Sequence, residues 1–307
     1  MDQLGGLLYL ILTVCIGYFA AATKLLPEKA ADTLPQLLFN ICYPAMILET
    51  FLTVDTAVLL GTGLPIAAAT VAVTLVLFGL GLWIFDKQPE DRQALYTFLM
   101  GVGNVTYVAI PLFSVLLPAE AVLAAIIHST AQDPLIWGVY HPLLLKSTEG
   151  REHLLKKVVS SPCLIATAVG IVLCVAKIPL PGFLLDTAAR ISAATSPVAL
   201  ILIGMLVYQH GLFSWIRDGR ALLYSVLKVL VLPTVLFVAF LPFLNRVDAI
   251  LLAILFGSPA PLMSIAWAKQ HNSHVAFTVH CFLASTLLFL PAVSAIVLIL
   301  SKAGILS

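Results

Sequence analysis

GVGNVTYVAIP, residues 101–111, interrupts an otherwise apolar run with two glycines, an asparagine and a proline. About half a chain further on, FGSPAP at 256–261 interrupts a second apolar run in the same manner. In hydrocarbon, a helix that breaks strands backbone amides and carbonyls with no water to satisfy them. Such breaks survive only where protein or a water-filled cavity takes up the freed groups. A matched pair of breaks in the two halves of one chain is a sequence pointer to a carrier's binding site.

The surrounding composition fits that setting. The chain has 307 residues, 61% hydrophobic and 10% charged, against roughly 25% charged in a soluble domain. It reads as an all-α polytopic membrane protein. Its net charge is +1, and no basic stripe exists outside short loops, so nucleic acid is not an expected partner. Cys15, Cys42, Cys163, Cys174 and Cys281 all lie inside apolar segments. They read as free, small hydrophobes, not as disulfides or metal ligands. The first apolar segment has no basic leader and no small-residue cleavage site, and reads as a retained helix.

Ten apolar runs approach the roughly 20 residues needed to span about 30 Å of hydrocarbon. They are 4–22, 34–51, 58–85, 94–117 and 121–145, then 162–175, 184–208, 221–243, 250–267 and 275–300. The longest polar segment, 146–157, separates five from five. Odd-numbered loops carry the lysines and arginines: Lys24 and Lys29, Lys87 and Arg92, Lys146, Arg151, Lys156 and Lys157, Arg217 and Arg220, and Lys269. Even-numbered loops hold only Lys177 and Arg246. The positive-inside rule then places the odd loops in the cytoplasm of an inner-membrane protein, with both termini outside.

Five spans per half is an odd number, so the second half enters the membrane in the opposite sense. That defines an inverted repeat, with residues 1–150 as one unit and 151–307 as the other. At a constant offset of 153, Gly17 meets Gly170, Lys24 meets Lys177 and Pro44 meets Pro197. These identities are few, and the shared order of hydropathy carries the argument.

The candidate site residues cluster at the breaks. Span 4 offers Asn104, Thr106, Tyr107 and Pro111, and span 9 offers Gly257, Ser258, Pro259 and Pro261. Proline removes a backbone donor and clashes with the preceding turn. If the two breaks cross, half-helix amino termini converge on one point and favour a carboxylate. The alternative is a pair of kinked helices packed on their neighbours. In span 5, Asp133 falls near the midplane, where an ionisable group is costly and calls for a partner, water or a proton. A proton-carrying role and a structural role beside Pro134 both remain open, and Gln132 is a further candidate for lining the same cavity. Lys228 can pair with Asp133, attract a substrate carboxylate or snorkel to the interface. Asp186 and Arg190 are spaced for an i,i+4 ion pair. His128 and His280 read as packing donors, since no clustered ligands accompany them. His128 is also a proton-coupling candidate beside Asp133 and Lys228. Asn40, next to Pro44 in span 2, is open to a substrate contact or an interhelical hydrogen bond. No metal or cofactor is expected. The motifs of membrane metalloproteases, serine hydrolases and P-loop ATPases are absent, so an enzyme is not expected.

The string GNVTYVAIPL, carrying Gly103, Asn104, Tyr107 and Pro111, resembles the fourth-helix signature of the auxin efflux carrier family. Thr106 and Ala109 stand where that family usually has glycine. SPAPLMSIAWAKQHN (258–272) is similar to the family's ninth helix and the loop after it, and FLASTLLFLP (282–291) to its tenth. The compact loops are closer to bacterial members than to plant ones. The resemblance implies ten transmembrane helices in two inverted five-helix repeats, with helices 4 and 9 broken and crossing at their prolines, similar to sodium–bile acid symporters. It implies a scaffold of spans 1, 2, 6 and 7, through which a homodimer can form, and a moving transport domain of spans 3–5 and 8–10. It further implies a small organic anion as substrate, an auxin-like carboxylate or a dicarboxylate, met at the crossing by Asn104 and carried by an elevator motion. Sodium coupling and a non-transporting sensor are the alternatives.

Overall fold

A computed structural model of the chain describes residues 3–54, 56–140, 143, 160, 162–178, 180–211, 213–270 and 274–302. The charged connector expected at 146–157 lies outside the described residues. All regular structure among the described residues is helical. Helix α1 is Gln3–Ala22, α2 Ala30–Leu37, α3 Tyr43–Thr53, α4 Thr56–Val58 and α5 Leu64–Ile84. Then come α6 Glu90–Gly101, α7 Ile110–Leu116, α8 Ala119–Leu135, α9 Pro162–Ala176 and α10 Gly182–His210. The chain continues through α11 Gly219–Val226, α12 Leu232–Phe240, α13 Arg246–Phe256, α14 Leu262–Gln270 and α15 Val275–Lys302.

Several of these helices run into one another through a widened, π-helical turn. Such turns occupy Leu38–Cys42, Leu59–Gly63, Val105–Ala109 and Leu227–Val231. Each ends two residues before a proline: Pro44, Pro65, Pro111 and Pro233. The cause is steric. A proline ring collides with the carbonyl one turn back and offers it no N–H, and widening the preceding turn relieves both faults without ending the helix. The starts of other helices are set by caps. Asn245 Oδ1 accepts the Asp248 N–H at 2.9 Å to begin α13, and Asp218 Oδ1 accepts the Arg220 and Ala221 amides to begin α11.

Among the described residues, five stretches are long and apolar enough to cross a membrane: Thr56–Ile84, Glu90–Leu116, Gly182–His210, Gly219–Phe240 and Val275–Leu300. Leu8–Ala22 and Pro162–Ala176 are shorter apolar helices. The remaining expected spans are helical but carry polarity or a break. Asp32, Asn40 and Glu49 dilute the run from α2 to α3, His128, Gln132 and Asp133 dilute α8, and the ninth segment is cut between α13 and α14.

Much of the packing falls into two sets of partners, with α7 lying against helices of both. Helix α1 lies along α10, and α3 is held between α9 and α10. In the other set α5 packs on α6 and α8, α13 on α8 and α12, and α15 on α11 and α14. The α1–α10 contact is backbone against backbone: a Cβ on Gly17 would overlap the Ile201 carbonyl, and one on Gly204 the Val14 carbonyl. Small residues allow this approach, which replaces the hydrophobic drive that lipid cannot supply.

Candidate functional site: two broken helices that touch

The two breaks are in direct contact. Helix α6 stops at Gly101, and Val102 turns the chain extended, at φ −111° and ψ 144°. The Asn104 N–H then donates across to the Pro259 carbonyl at 2.8 Å. Beside this bond the backbones are so close that a Cβ on Gly103 would overlap Ser258 Oγ. Asn104 O accepts from Val108 and Ala109 at 3.2 and 3.4 Å, which starts the π turn leading into α7.

Breaking α6 strands its last carbonyls, and three side chains from other helices take them up. Tyr224 Oη donates to Leu99 O at 3.2 Å, Lys228 Nζ to Met100 O at 2.9 Å, and Gln132 Nε2 to Gly101 O at 3.2 Å. A helix end inside a membrane needs such partners. Lys228 is buried, at 3% exposure, so it does not snorkel. No ion pair joins it to Asp133 among the described residues. Its ammonium faces the negative end of the α6 dipole, where a cation is favoured.

The second break is satisfied in the same way. Ser258 Oγ turns back to Leu255 O at 2.6 Å, and Ser285 Oγ on α15 accepts the Ala260 N–H at 3.0 Å. Gly257, Ser258, Pro259 and Pro261 are all buried. His128 approaches from α8: its Nδ1 lies 2.9 Å from Thr70 Oγ1, and its ring stands edge-on to Phe256 at 4.8 Å. Lys228 lies within electrostatic reach of that imidazole.

Past the crossing in the chain, Thr106 Oγ1 lies 3.2 Å from Ser129 Oγ, and Tyr107 Oη donates to Pro35 O at 3.4 Å. Asp133, one turn after Ser129, is within electrostatic reach of Tyr43, Tyr107 and Cys163. The sequence candidates thus divide. Gly103 and Asn104 touch Ser258 and Pro259 at the crossing. Pro111, Gly257 and Pro261 are buried in the same two segments, with Gly257 against Pro233. Lys228 and His128 lie beside the broken ends. Thr106, Tyr107 and Asp133 form a separate group, near α2 and α3. Asn40 stands apart, exposed on the π turn between α2 and α3 with no hydrogen bond to the crossing among the described residues. The Asp186–Arg190 pair does not form among them either, and His280 instead meets Asp218 Oδ2 at 3.0 Å. Sequence reasoning missed Tyr43, Ser129, Tyr224 and Ser285, hydroxyl residues that are ordinary in membrane helices and that only the packing brings to the breaks.

One polar atom at the crossing is left without a bond. Asn104 is 3% exposed, and its Nδ2 donates to nothing among the described residues. A buried amide with an idle donor is uncommon, because leaving it unpaired costs about 1–3 kcal/mol.

Helices broken in mid-run, touching at their breaks and capped there by side chains, beside five apolar stretches long enough to cross a membrane, make an all-helical, membrane-like fold. Residues 4–297 match the family described as membrane transport protein, and the chain belongs to that family, the one that includes the auxin efflux carriers. No curated protein matches the sequence closely enough to be counted. The protein is a membrane transporter.

Proposed function

We propose that the protein is a secondary carrier for a small organic anion, auxin-like or dicarboxylate, which binds at the crossing and moves by elevator-type alternating access. The observation that carries this reading is the idle, buried Asn104 amide beside the Asn104–Pro259 bond. A substrate carboxylate is a fitting acceptor for that donor and for the first amides of the resumed helices, which have no acceptor within their own helix.

The same reading includes ten spans in two inverted repeats, and small features favour it. Lys24 and Lys177, 153 positions apart, both take left-handed conformations, φ 59° and 51°, at the ends of α1 and α9. Each donates its N–H three residues back, to Ala21 O and Cys174 O. Gly17 packs against α10, and its counterpart Gly170 packs against Phe51 of α3. The two sets of packing partners likewise suit a scaffold of α1–α3, α9 and α10 beside a transport domain of the rest. Asp133 lies at their boundary, a suitable place for a proton to be carried or released.

The test is uptake by purified protein in proteoliposomes, with substrates chosen from mono- and dicarboxylates that raise its thermal stability. Asn104→Ala should abolish saturable uptake while leaving a folded protein. Unchanged uptake would remove the crossing as the site.

A further inference from the structure

Two cavities meet at Arg220. One, of about 510 Å³, is polar and open, and is lined by Ser214, Arg217, Asp218, Gly219, Arg220 and His280. The other, of about 440 Å³, is an apolar slot walled by Phe85, Tyr96, Leu223, Leu227, Val231 and Val235, among others, with Arg220 at one end of its lining. The Arg220 guanidinium stacks over Phe277, 5.7 Å from the ring centre.

The charges at this mouth are not balanced internally. Asp218 is already engaged by His280 and by the two amides that it caps. Partial burial pushes its carboxyl up, but those hydrogen bonds outweigh burial and hold it below the usual range. Neither Arg217 nor Arg220 forms an ion pair among the described residues. Two arginines therefore face the open pocket, whose one lining carboxylate, Asp218, is already engaged by His280 and the two amides that it caps.

The slot has the dimensions of a lipid tail. From Arg220 to Val235 the helices rise about 22 Å at 1.5 Å per residue, more than half of the roughly 30 Å hydrocarbon core. Leu223, Leu227, Val231 and Val235 are 59%, 48%, 44% and 58% exposed, an apolar stripe facing outward beneath a pair of arginines. Arginine pairs with phosphate through two parallel hydrogen bonds.

We infer that Arg217 and Arg220 bind the phosphate of an anionic phospholipid from the adjoining leaflet, with one acyl chain lying in the slot between α5, α6, α11 and α12. Tyr224, Lys228, Leu99 and Met100 also line the slot, so the lipid packs on the residues that cap the broken end of α6. Its presence steadies the break from outside the crossing.

The experiment is native mass spectrometry of the purified full-length protein, incubated with phosphatidylglycerol and phosphatidylcholine of identical acyl chains in equal amounts. The wild type should retain phosphatidylglycerol with a preference of about tenfold, the scale of one charge-assisted contact. Arg217→Gln with Arg220→Gln should abolish that preference while phosphatidylcholine is retained as before. Leu227→Trp, which fills the slot, should lower retention of both lipids, and Leu223→Trp on the same wall serves if that variant does not fold. Inorganic phosphate in excess should leave the bound lipid in place. Equal retention of the two lipids by the wild type would overturn the inference, as would an unchanged preference in the double variant. Displacement by phosphate alone would make this a site for a free anion instead.

Discussion

Replacing Gly103 by alanine tests the crossing at its tightest point. The new methyl would overlap Ser258 Oγ, and the Ser258 carbonyl oxygen and Cβ would lie 3.1 and 3.3 Å away. The hydroxyl cannot simply rotate aside, because it is engaged with Leu255 O at 2.6 Å. Something must move, and what lies next in line is the Asn104–Pro259 bond at 2.8 Å. Overpacking of this kind costs about 1–3 kcal/mol, and stretching that bond adds about 1 kcal/mol.

The structure also names the relief. Ser258→Ala removes the overlapping oxygen and loses the Leu255 bond, at a cost of about 1 kcal/mol. In the Gly103→Ala, Ser258→Ala double variant the nearest neighbour is the carbonyl oxygen at 3.1 Å, which a few tenths of an ångström accommodates. The double variant should therefore be more stable than the sum of the single changes by roughly 1–2 kcal/mol. Denaturant unfolding of the purified protein in detergent measures the cycle, and uptake in proteoliposomes follows in parallel. A Gly103→Ala protein as stable as the wild type would refute the close crossing, and strictly additive single and double changes would refute Ser258 as its partner.

Asn104→Ala should behave in the opposite sense. It removes an idle buried donor, so stability should hold or rise by up to about 1 kcal/mol while saturable uptake disappears; a loss of stability as large as that of uptake would make Asn104 structural. Lys228→Met strands the Met100 carbonyl and should cost about 1–3 kcal/mol in unfolding experiments, with a melting point equal to the wild type counting against the capping role. Asp133→Asn should flatten the pH dependence of uptake, and an intact profile would remove it as the proton carrier. Asp218→Ala should cost about 1 kcal/mol through loss of the α11 cap. The folded-state carboxyl titrates below its ordinary 3.8, so this contribution is full above that value and fades as pH falls below it. A difference between variant and wild type that did not shrink in acid would contradict the cap.

Much of this was legible in the sequence because glycine and proline act locally. Gly103, Pro111, Gly257 and Pro261 locate the breaks, since no lipid-embedded helix tolerates such clusters without outside partners. The form of the break was less legible. A proline says that the helix must yield, but whether it kinks, widens or stops depends on which neighbours can take the freed carbonyls. Lys228 illustrates the limit. Its place in the chain set its depth, yet depth alone left a snorkelling head, an Asp133 partner and a substrate contact all open. The structure gives a fourth role, a cap on Met100 O, because orientation around the helix axis follows from packing against α6. Tyr224 escaped notice for the same reason, and Gln132 was read as lining a cavity and not as a cap, since both are caps only by virtue of where α6 ends.

The caps also bear on the anion proposed for the crossing. Each broken helix presents a carboxyl end and an amino end near one point, with partial charges of about −0.5 and +0.5. At α6 the negative end is answered by Lys228 on Met100, with Tyr224 and Gln132 on the flanking carbonyls. The amino ends are not answered in kind. Asn104 spends its backbone N–H on Pro259 and Ala260 spends its own on Ser285 Oγ, but no carboxylate is hydrogen-bonded to either start among the described residues. With Lys228 at the carboxyl end, the amino ends are left unanswered, and the idle Asn104 Nδ2 points the same way chemically, as a donor in search of an acceptor. A substrate carboxylate satisfies both demands together. On this account Lys228 and Asn104 act on one equilibrium from opposite helix ends, so Lys228→Met should weaken substrate binding as well as stability, and Lys228→Arg should restore the charge and with it most of the binding. Isothermal titration with a carboxylate that supports uptake would measure both, and affinity indifferent to the charge at position 228 would refute the link.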